Sequence, residues 1–349
     1  MRQDKMGDRD LSIDIARGIA ITSVVVGHVV PGITHDLIYL FHMPFFFIVS
    51  GHLHHLDYQE SRYLKRKCIS LLVPYFSYLL IFRGWLVLDR FLNLVTHPSN
   101  ASLVAFGKYM FRMLYGGEVL MGIVGVFWFV TTLFLTQQLF NFVGVRVKDK
   151  RLILGFAVAL YGIALLDQMI AEAFPLPWGL PWNINVVCGA FLFYTIGSVY
   201  GDFIFKQHTK LLIFLATMIS ISAVIATVSG PEFIFNMKLA HYGVFILSPL
   251  TAFSLTKLLM YGSSLVTRVD LLTAAISSIG EASITIMFAH RLFQYIPPGV
   301  LLERWPWLMA TVVTLLCYVL HQVLLTNKFT RAFLLGSRRD VNALIGPAV

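Results

Sequence analysis

Two ionisable residues in the first apolar segment, Arg17 and His28, have types and a spacing that suit chemistry on a polar substrate. They lie 11 positions apart, which in a helix is about three turns and about 16 Å, so both face one side at different depths. A histidine can act as a general base near neutral pH, and an arginine can bind phosphate. Taken singly, Arg17 could instead reach the membrane interface and His28 could hydrogen-bond a neighbouring helix.

Polar residues in other apolar segments fall at comparable depths once the alternating direction of successive spans is considered. One group, predicted in the outer half of a membrane, consists of His28, His42 and His290. A second group, predicted in the inner half, consists of Arg17, Ser50, His52 and Glu281. Ionisable groups inside a membrane are costly and therefore indicate function. We expect Gly51 and Gly280 to let neighbouring helices approach closely beside these groups.

A third group of polar residues is predicted near the outer ends of spans. It consists of Arg83, Glu118, Asn183, Asn185, His241 and Arg291. An interfacial position explains these residues at least as well as a catalytic role. Together the three groups indicate a polar path between the two faces of the membrane.

The elements that must position these residues follow from the composition. The 349 residues are 57% hydrophobic and only 13% charged, with a mean hydropathy of +0.75, which excludes an ordinary water-soluble enzyme. Ten apolar segments are predicted to cross the membrane, at residues 13–33, 38–56, 70–89, 119–145, 152–170, 183–204, 211–229, 240–260, 272–296 and 306–326. The predicted fold is all-α, a polytopic helical membrane protein with about ten transmembrane helices in a single domain over residues 1–349.

The basic residues predict the orientation of these spans. The net charge is +9, and 19 of the 27 Lys and Arg residues fall on the side of the N-terminus, if Lys257 at the inner end of the span 240–260 is included, against 5 on the other side. This asymmetry predicts that both termini are cytoplasmic. Insertion and contact with anionic lipid head groups explain the positive charge, so no nucleic-acid partner is expected.

One cytoplasmic loop concentrates four cations within six positions, namely Arg62, Lys65, Arg66 and Lys67. Contact with lipid head groups is one explanation of this cluster. An anionic cofactor that arrives from the cytoplasm could also bind there.

Common catalytic signatures are absent from the sequence. Cys68, Cys188 and Cys317 have no short spacing, so neither disulfides nor a metal site is expected. The chain has no GxSxG, HExxH, Walker or Rossmann motif. The spacing of the polar residues alone therefore leaves the reaction class open.

Two sequence blocks carry a resemblance to a known family. They are DIARGIAITSVVVGH at 14–28, with Arg17 and His28 as an Arg-x10-His motif, and FHMPFFFIVSGH at 41–52. Further similar blocks are LLVPYF at 71–76, FWFVTTLF at 127–134, LPWNIN at 180–185 and SITIMFAH at 283–290. Over nearly its whole length the chain resembles the integral-membrane acyltransferase 3 family, in particular its fucose 4-O-acetylase-like branch.

The resemblance implies transfer of an acyl group, usually acetyl, from acetyl-CoA on the cytoplasmic side to a sugar hydroxyl of a glycan or glycolipid. Acetyl-CoA is then a co-substrate, and no permanently bound cofactor is expected. The resemblance implies that Arg17, His28 and His290 are catalytic residues. We add His42, because it is predicted at the same depth as His28 and His290. His28 would serve as a general base or would relay the acyl group.

The CoA phosphates would lie near Arg17 and the cationic loop, so the predicted donor-binding residues are Arg17, Arg62, Lys65, Arg66 and Lys67. Arg17 could alternatively organise the cavity by pairing with Asp14. The resemblance also implies a bacterial inner-membrane location.

Two other functions stay open at this stage. Ten helices with polar residues at mid-depth also describe transporters and flippases for polar or glycolipid substrates. Alternatively, an acyltransferase of this kind could modify a lipid, a protein or a small metabolite. The oligomeric state is open, a homo-oligomer included.

Overall fold

The computed structural model describes residues 10–174, 179–230, 235–295 and 304–346. The structure is 83% helix and 1% strand, which confirms the predicted all-α class. The first eight α-helices are α1 (Leu11–Val29), α2 (Ile33–Tyr39), α3 (His42–His52), α4 (Glu60–Lys67), α5 (Val73–Thr96), α6 (Asn100–Tyr115), α7 (Trp128–Arg146) and α8 (Lys150–Ala173). The others are α9 (Ile184–Phe205), α10 (Lys210–Ser229), α11 (Leu247–Val266), α12 (Asp270–Glu281), α13 (Ser283–Tyr295), α14 (Pro306–Leu325), α15 (Lys328–Phe333) and α16 (Arg338–Ile345).

Short irregular elements connect some of these helices. A π-helical turn, Cys68–Leu72, joins α4 to α5 without interruption. Single 3-10 turns lie at Gly117–Val119, Gly122–Val124, Pro181–Asn183 and Met237–Leu239. Strands β1 (Phe235–Asn236) and β2 (His241–Tyr242) form a small antiparallel hairpin in which Phe235 pairs with Tyr242.

Within the described residues, eight helical stretches are long and apolar enough to cross a membrane. They are Leu11–Val29, Ile33–His52, Glu60–Thr96, Gly122–Arg146, Lys150–Ala173, Pro181–Phe205, Lys210–Ser229 and Pro306–Leu325. Each overlaps one predicted span. The chain is therefore a multi-pass membrane protein by the length and composition of its helices.

Two of the ten predicted spans differ from the structure. The segment 240–260 begins in the β-hairpin, and its helix, α11, is too polar to meet the same test because it carries Lys257 and several buried Ser and Thr. The segment 272–296 is not continuous, since α12 and α13 meet at a bend of 75°; residue 296 lies outside the described residues. The number of ten spans remains a prediction. So do the cytoplasmic termini, because residues 1–9 and 347–349 also lie outside the described residues.

The bundle has moderately apolar, buried helices at its centre and a more apolar helix at its periphery. α1, α7 and α9 are buried over most of their length, whereas α10, the most apolar of the eight spanning stretches, is the least buried. α1 packs against α11, α12, α13 and α14, and α9 packs against α3, α7 and α8. This order follows from the solvent, because lipid favours apolar side chains on the outer surface.

Glycines allow two pairs of central helices to pack backbone to backbone. A Cβ atom on Gly51 of α3 would collide with the carbonyl of Tyr194 on α9, and one on Gly197 with the carbonyl of Ile48. The close approach expected at Gly51 and Gly280 is confirmed, since a Cβ atom on Gly280 of α12 would collide with the Asp14 carbonyl on α1.

We predict that Gly51→Ala destabilises the protein by about 1–3 kcal/mol, because the added methyl group forces α3 and α9 apart. The thermal unfolding midpoint in detergent measures the effect. Gly162→Ala on α8 is the matched control, since nothing lies within 4 Å of its Cβ position and alanine favours a helix by up to about 1 kcal/mol. Equal midpoints for the two variants would contradict the proposed close packing.

Candidate active site

Four helices bring the predicted histidines together around His28. The rings of His28 on α1 and His290 on α13 stack with centroids 5.2 Å apart and an interplanar angle of 24°. Tyr39 on α2 places its hydroxyl 3.4 Å from Nδ1 of His28, and its ring lies 4.7 Å from that of His42 on α3. The three histidines predicted at one depth therefore form one cluster, to which the structure adds Tyr39.

Hydrogen bonds assign the tautomers of two of these rings. Nδ1 of His42 lies 2.8 Å from the carbonyl of Ile38, and Nδ1 of His290 lies 2.8 Å from the carbonyl of Ile286. Because a carbonyl only accepts, each Nδ1 carries the proton and each Nε2 is an acceptor. Nε2 of His290 is buried and has no hydrogen-bond partner within the described part of the chain. Because His290 also lines a cavity, this acceptor is available to the hydroxyl of a bound ligand.

His28, His42 and His290 line a cavity of about 300 Å³, here called the His28 cavity. Its wall also contains Lys238 and Arg291. Arg291 donates to Oε1 of Gln294 at 2.9 Å, and Lys238 donates to the Leu120 carbonyl at 3.2 Å. Two cations thus stand beside the imidazoles.

Arg17 lies on the same face of α1, in a second cavity of about 310 Å³, here called the Arg17 cavity. Its guanidinium donates to Asp14 at 3.4 Å and to the hydroxyl of Ser283, the first residue of α13, at 3.2 Å. The contact with Asp14 agrees with the alternative considered for Arg17, and its role in phosphate binding stays a prediction. Ser50 and Gln137 also line this cavity.

The two cavities adjoin. Val24, Met43, Phe129 and Met287 belong to the walls of both, so apolar side chains line the region between Arg17 and His28, here called the apolar passage. The polar path predicted between the faces of the membrane therefore has an apolar middle section. Two inner residues do not contribute to it: His52 stacks on Phe205 with centroids 4.4 Å apart, and Glu281 is exposed.

The prediction of a loop at the four cations was wrong, since all four lie on helix α4 (Glu60–Lys67). We keep the name cationic loop for α4 together with the turn before it, residues 53–67, and its cations divide into those that face the cavities and those that do not. Lys67 lines the Arg17 cavity, and Arg66 lines a neighbouring one. Arg62 and Arg66 bind the buried carboxylate of Asp57 at 3.1 and 2.8 Å. Lys65 is exposed and lines none of the cavities described here.

Asp57 anchors this loop. Its hydrogen bond from Arg62, helped by the charges of Arg62 and Arg66, lowers the pKa of the carboxyl group, so it is ionised at neutral pH. The backbone amide of Asp57 donates to Asn141 of α7 at 2.9 Å, and the Asn141 amide donates back to the Asp57 carbonyl at 3.0 Å. The loop is thereby fixed to the centre of the bundle.

Beyond the His28 cavity lies a wider vestibule of about 420 Å³, which shares Met121 and Lys238 with it. Arg83, Arg112 and Glu118 line the vestibule. Three other polar residues predicted at outer ends make structural contacts instead. Asn183 donates to the Lys238 carbonyl at 2.8 Å, Asn185 donates to Asp167 at 2.8 Å, and His241 lies 3.7 Å from Glu172.

Sequence reasoning missed Tyr39, Lys238 and the residues of the apolar passage. Tyr39 lies in the same predicted span as His42, and this proximity could have identified Tyr39 as a site residue. Lys238 was counted only as a charge for topology. Within the described residues, no group of three or more His, Cys, Asp or Glu side chains is placed to hold a metal ion.

Residues 10–325 match the acyltransferase domain of the acyltransferase 3 family. The chain belongs to this family. No curated protein and no solved structure matches the chain. The match spans both cavities, the histidine cluster and the cationic loop, and so supports an acyltransferase that is embedded in a membrane. The fucose 4-O-acetylase-like branch stays a prediction.

We predict that Asp57→Asn in this acyltransferase loosens the cationic loop, because Arg62 and Arg66 lose their ionic partner. Amide hydrogen exchange in residues 53–67 should become several-fold faster at neutral pH. Because the Asp57 pKa is lower in the folded than in the unfolded chain, its contribution is complete above about pH 4 and is lost as the pH falls further.

The control for this prediction is Asp202→Asn, which breaks the exposed pair between Asp202 and Lys206 and should leave exchange of residues 53–67 unchanged. If residues 53–67 exchange at the same rate in Asp57→Asn and Asp202→Asn, Asp57 does not anchor the loop.

Proposed function

We propose that the protein is a membrane-bound O-acyltransferase that moves an acyl group, acetyl in the simplest case, from acyl-CoA to a sugar hydroxyl of a surface or exported glycan. The observation that carries this proposal is the pair of adjoining cavities. One presents a cation, Arg17, and the other presents an imidazole, His28, and the two cavities share four apolar wall residues. Membership of the acyltransferase 3 family supports the reaction type.

The donor fits this arrangement by its chemistry. Coenzyme A carries several phosphates at one end and a thioester at the tip of a long, thin pantetheine arm. Arginine and lysine suit the phosphates, and Arg66 and Lys67 stand next to the Arg17 cavity. The arm would pass between Val24 and Met43 and carry its thioester towards His28.

His28 would remove the proton from the acceptor hydroxyl as the oxygen attacks the thioester carbonyl carbon. The C–S bond then breaks, and the proton leaves with the thiolate as free CoA thiol. Tyr39 and His290 would hold the ring of His28 through the contacts described above. Attack by His28 itself, giving an acyl-imidazole that the acceptor then cleaves, is the alternative route.

The acceptor would reach His28 through the vestibule on the opposite side from the donor. Lys238 and Arg291 stand beside the imidazoles and would stabilise the negative charge that develops on the carbonyl oxygen. If the basic residues orient the chain as predicted, the donor comes from the cytoplasm and the acceptor from the outer side. We place the protein in a bacterial inner membrane on the same proposal.

We predict that His28→Ala lowers acyl transfer by about 10²–10⁴-fold while the protein stays folded and inserted. The assay combines purified protein in nanodiscs with radiolabelled acetyl-CoA and envelope glycans, and it measures thiol release and label on glycan. His97→Ala is the matched control, because His97 is exposed at the end of α5. Full activity in His28→Ala would exclude the catalytic role.

The same assay separates the two routes and the competing function. Label that stays on wild-type protein after removal of acceptor, and that is lost in His28→Ala, indicates the acyl-imidazole. A wild-type protein that neither binds nor consumes acetyl-CoA contradicts the proposed function, and substrate flux in liposomes then tests the transporter.

We predict that Met43→Trp blocks the passage between the cavities and so lowers acetyl transfer by at least about tenfold, since a misplaced thioester is no longer aligned for attack. Binding of CoA should persist, because its phosphates bind before the passage. Met218→Trp, on the lipid-facing surface of α10, is the control. Unchanged transfer in Met43→Trp would show that the donor does not use this passage.

A further inference from the structure

The chain continues past the residues that match the family, and the described part of this continuation is folded against the bundle. α15 and α16 follow residue 325, where the match ends. Ala332 and Val341 bury themselves against Ile69 of the π-helical turn in a small separate core. Gly336 has a φ of +64° and packs against the backbone of Ser70, where a Cβ atom would lie 2.7 Å from the carbonyl oxygen.

An ion pair fixes the orientation of α16 relative to α15. Arg331 donates to both carboxylate oxygens of Asp340, at 3.0 and 2.9 Å. Asp340 also accepts from the hydroxyl of Ser337 at 2.6 Å. These bonds hold the pKa of Asp340 at about 2, so the pair is intact at neutral pH. Two parallel hydrogen bonds of this kind fix the relative orientation of the two side chains more tightly than a single hydrogen bond.

The orientation directs the first two residues of α16 to the mouth of the Arg17 cavity. Arg338 lines a cavity of about 360 Å³ with Arg66 and Lys67. Arg338 and Arg339 line the adjoining cavity, of about 520 Å³, again with Arg66. The first of these cavities shares Leu53 and Lys67 with the Arg17 cavity. The four cations form what we call the basic mouth.

The basic mouth has more positive charge than its acidic neighbours neutralise. Its two cavities have no Asp or Glu among the described residues that line them. Asp57 pairs with Arg62 and Arg66, and Asp340 pairs with Arg331. Like charges held together repel one another, and a ligand with several phosphates would relieve that repulsion.

We propose that α16 completes the donor site, with Arg338 and Arg339 binding phosphate groups of acyl-CoA while Arg66 and Lys67 bind them from the opposite wall. This inference rests on the proposed function. A CoA donor is favoured over a lipid head group because the basic mouth adjoins the Arg17 cavity, with which it shares Lys67. Arg331 and Asp340 are positioning residues, since they act through α16.

The experiment measures equilibrium binding of radiolabelled CoA to the full chain in nanodiscs, with competition by CoA, 3′-dephospho-CoA and pantetheine. We expect Arg338→Ala and Arg339→Ala each to raise the Kd for CoA by about tenfold, the loss typical of one charge-assisted hydrogen bond. The affinity for pantetheine, which has no phosphate, should not change. Arg268→Ala removes an equal charge from an exposed site and should leave all affinities unchanged.

Two further variants test the proposal if an alanine variant folds poorly, and they distinguish direct binding from positioning. Arg338→Lys keeps the charge but loses bidentate geometry, so we expect a smaller increase in the Kd for CoA. Asp340→Asn should weaken CoA binding and accelerate hydrogen exchange in residues 338–345 without changing pantetheine binding. If the substitutions raise the Kd for CoA but not for 3′-dephospho-CoA, the arginines bind the ribose phosphate. If they raise both Kd values, the arginines bind the diphosphate. Either result supports the proposal.

Three results would overturn the proposal. If the wild type binds CoA and the Kd is unchanged in Arg338→Ala and Arg339→Ala, α16 is not part of the donor site. The proposed function is then unaffected. An effect seen only in nanodiscs that contain phosphatidylglycerol, and not in pure phosphatidylcholine, assigns the arginines to lipid head groups. A wild-type protein that does not bind CoA contradicts the proposed function and this inference together.

Discussion

The arrangement of the candidate site depends on the contact between α1 and α12. Gly18 of α1 packs against the backbone of Ile276, and Gly280 of α12 packs against the carbonyl of Asp14. Larger side chains at either position would separate the helices. Because α12 is held so closely and bends by 75° into α13, Ser283 reaches Arg17 and His290 reaches His28. One helix contact therefore sets both polar ends of the site.

A buried lysine elsewhere in the bundle satisfies polar groups that lipid cannot solvate. Lys257 of α11 is 2% exposed, and its ammonium donates to the carbonyls of Phe203, Ile204 and Gln207 near the end of α9. Those carbonyls would otherwise lack partners at a helix end. Such contacts fix α9, which packs against α3 and α7. Both of these helices contribute residues to the cavity walls, Met43 from α3 and Phe129 from α7.

The site separates two kinds of chemistry along one axis. Cations gather at the basic mouth and at Arg17, imidazoles gather around His28, and an apolar passage lies between them. This order matches a donor that is anionic at one end and reactive at the other. Under the proposed function, the apolar walls of the passage would let the acyl group move between the two cavities without a water-filled channel.

The sequence alone determined the all-α membrane class, most of the spans and the family, because these depend on composition, local spacing and motif order. It also pointed to His42 and His290 through their depth. Only the tertiary structure decided that Tyr39 joins His28, that Lys65 lies outside the cavities, that segment 272–296 is bent and that Arg338 faces Arg66. Those outcomes depend on helix rotation and on contacts between residues far apart in the chain, which a local hydropathy pattern does not encode.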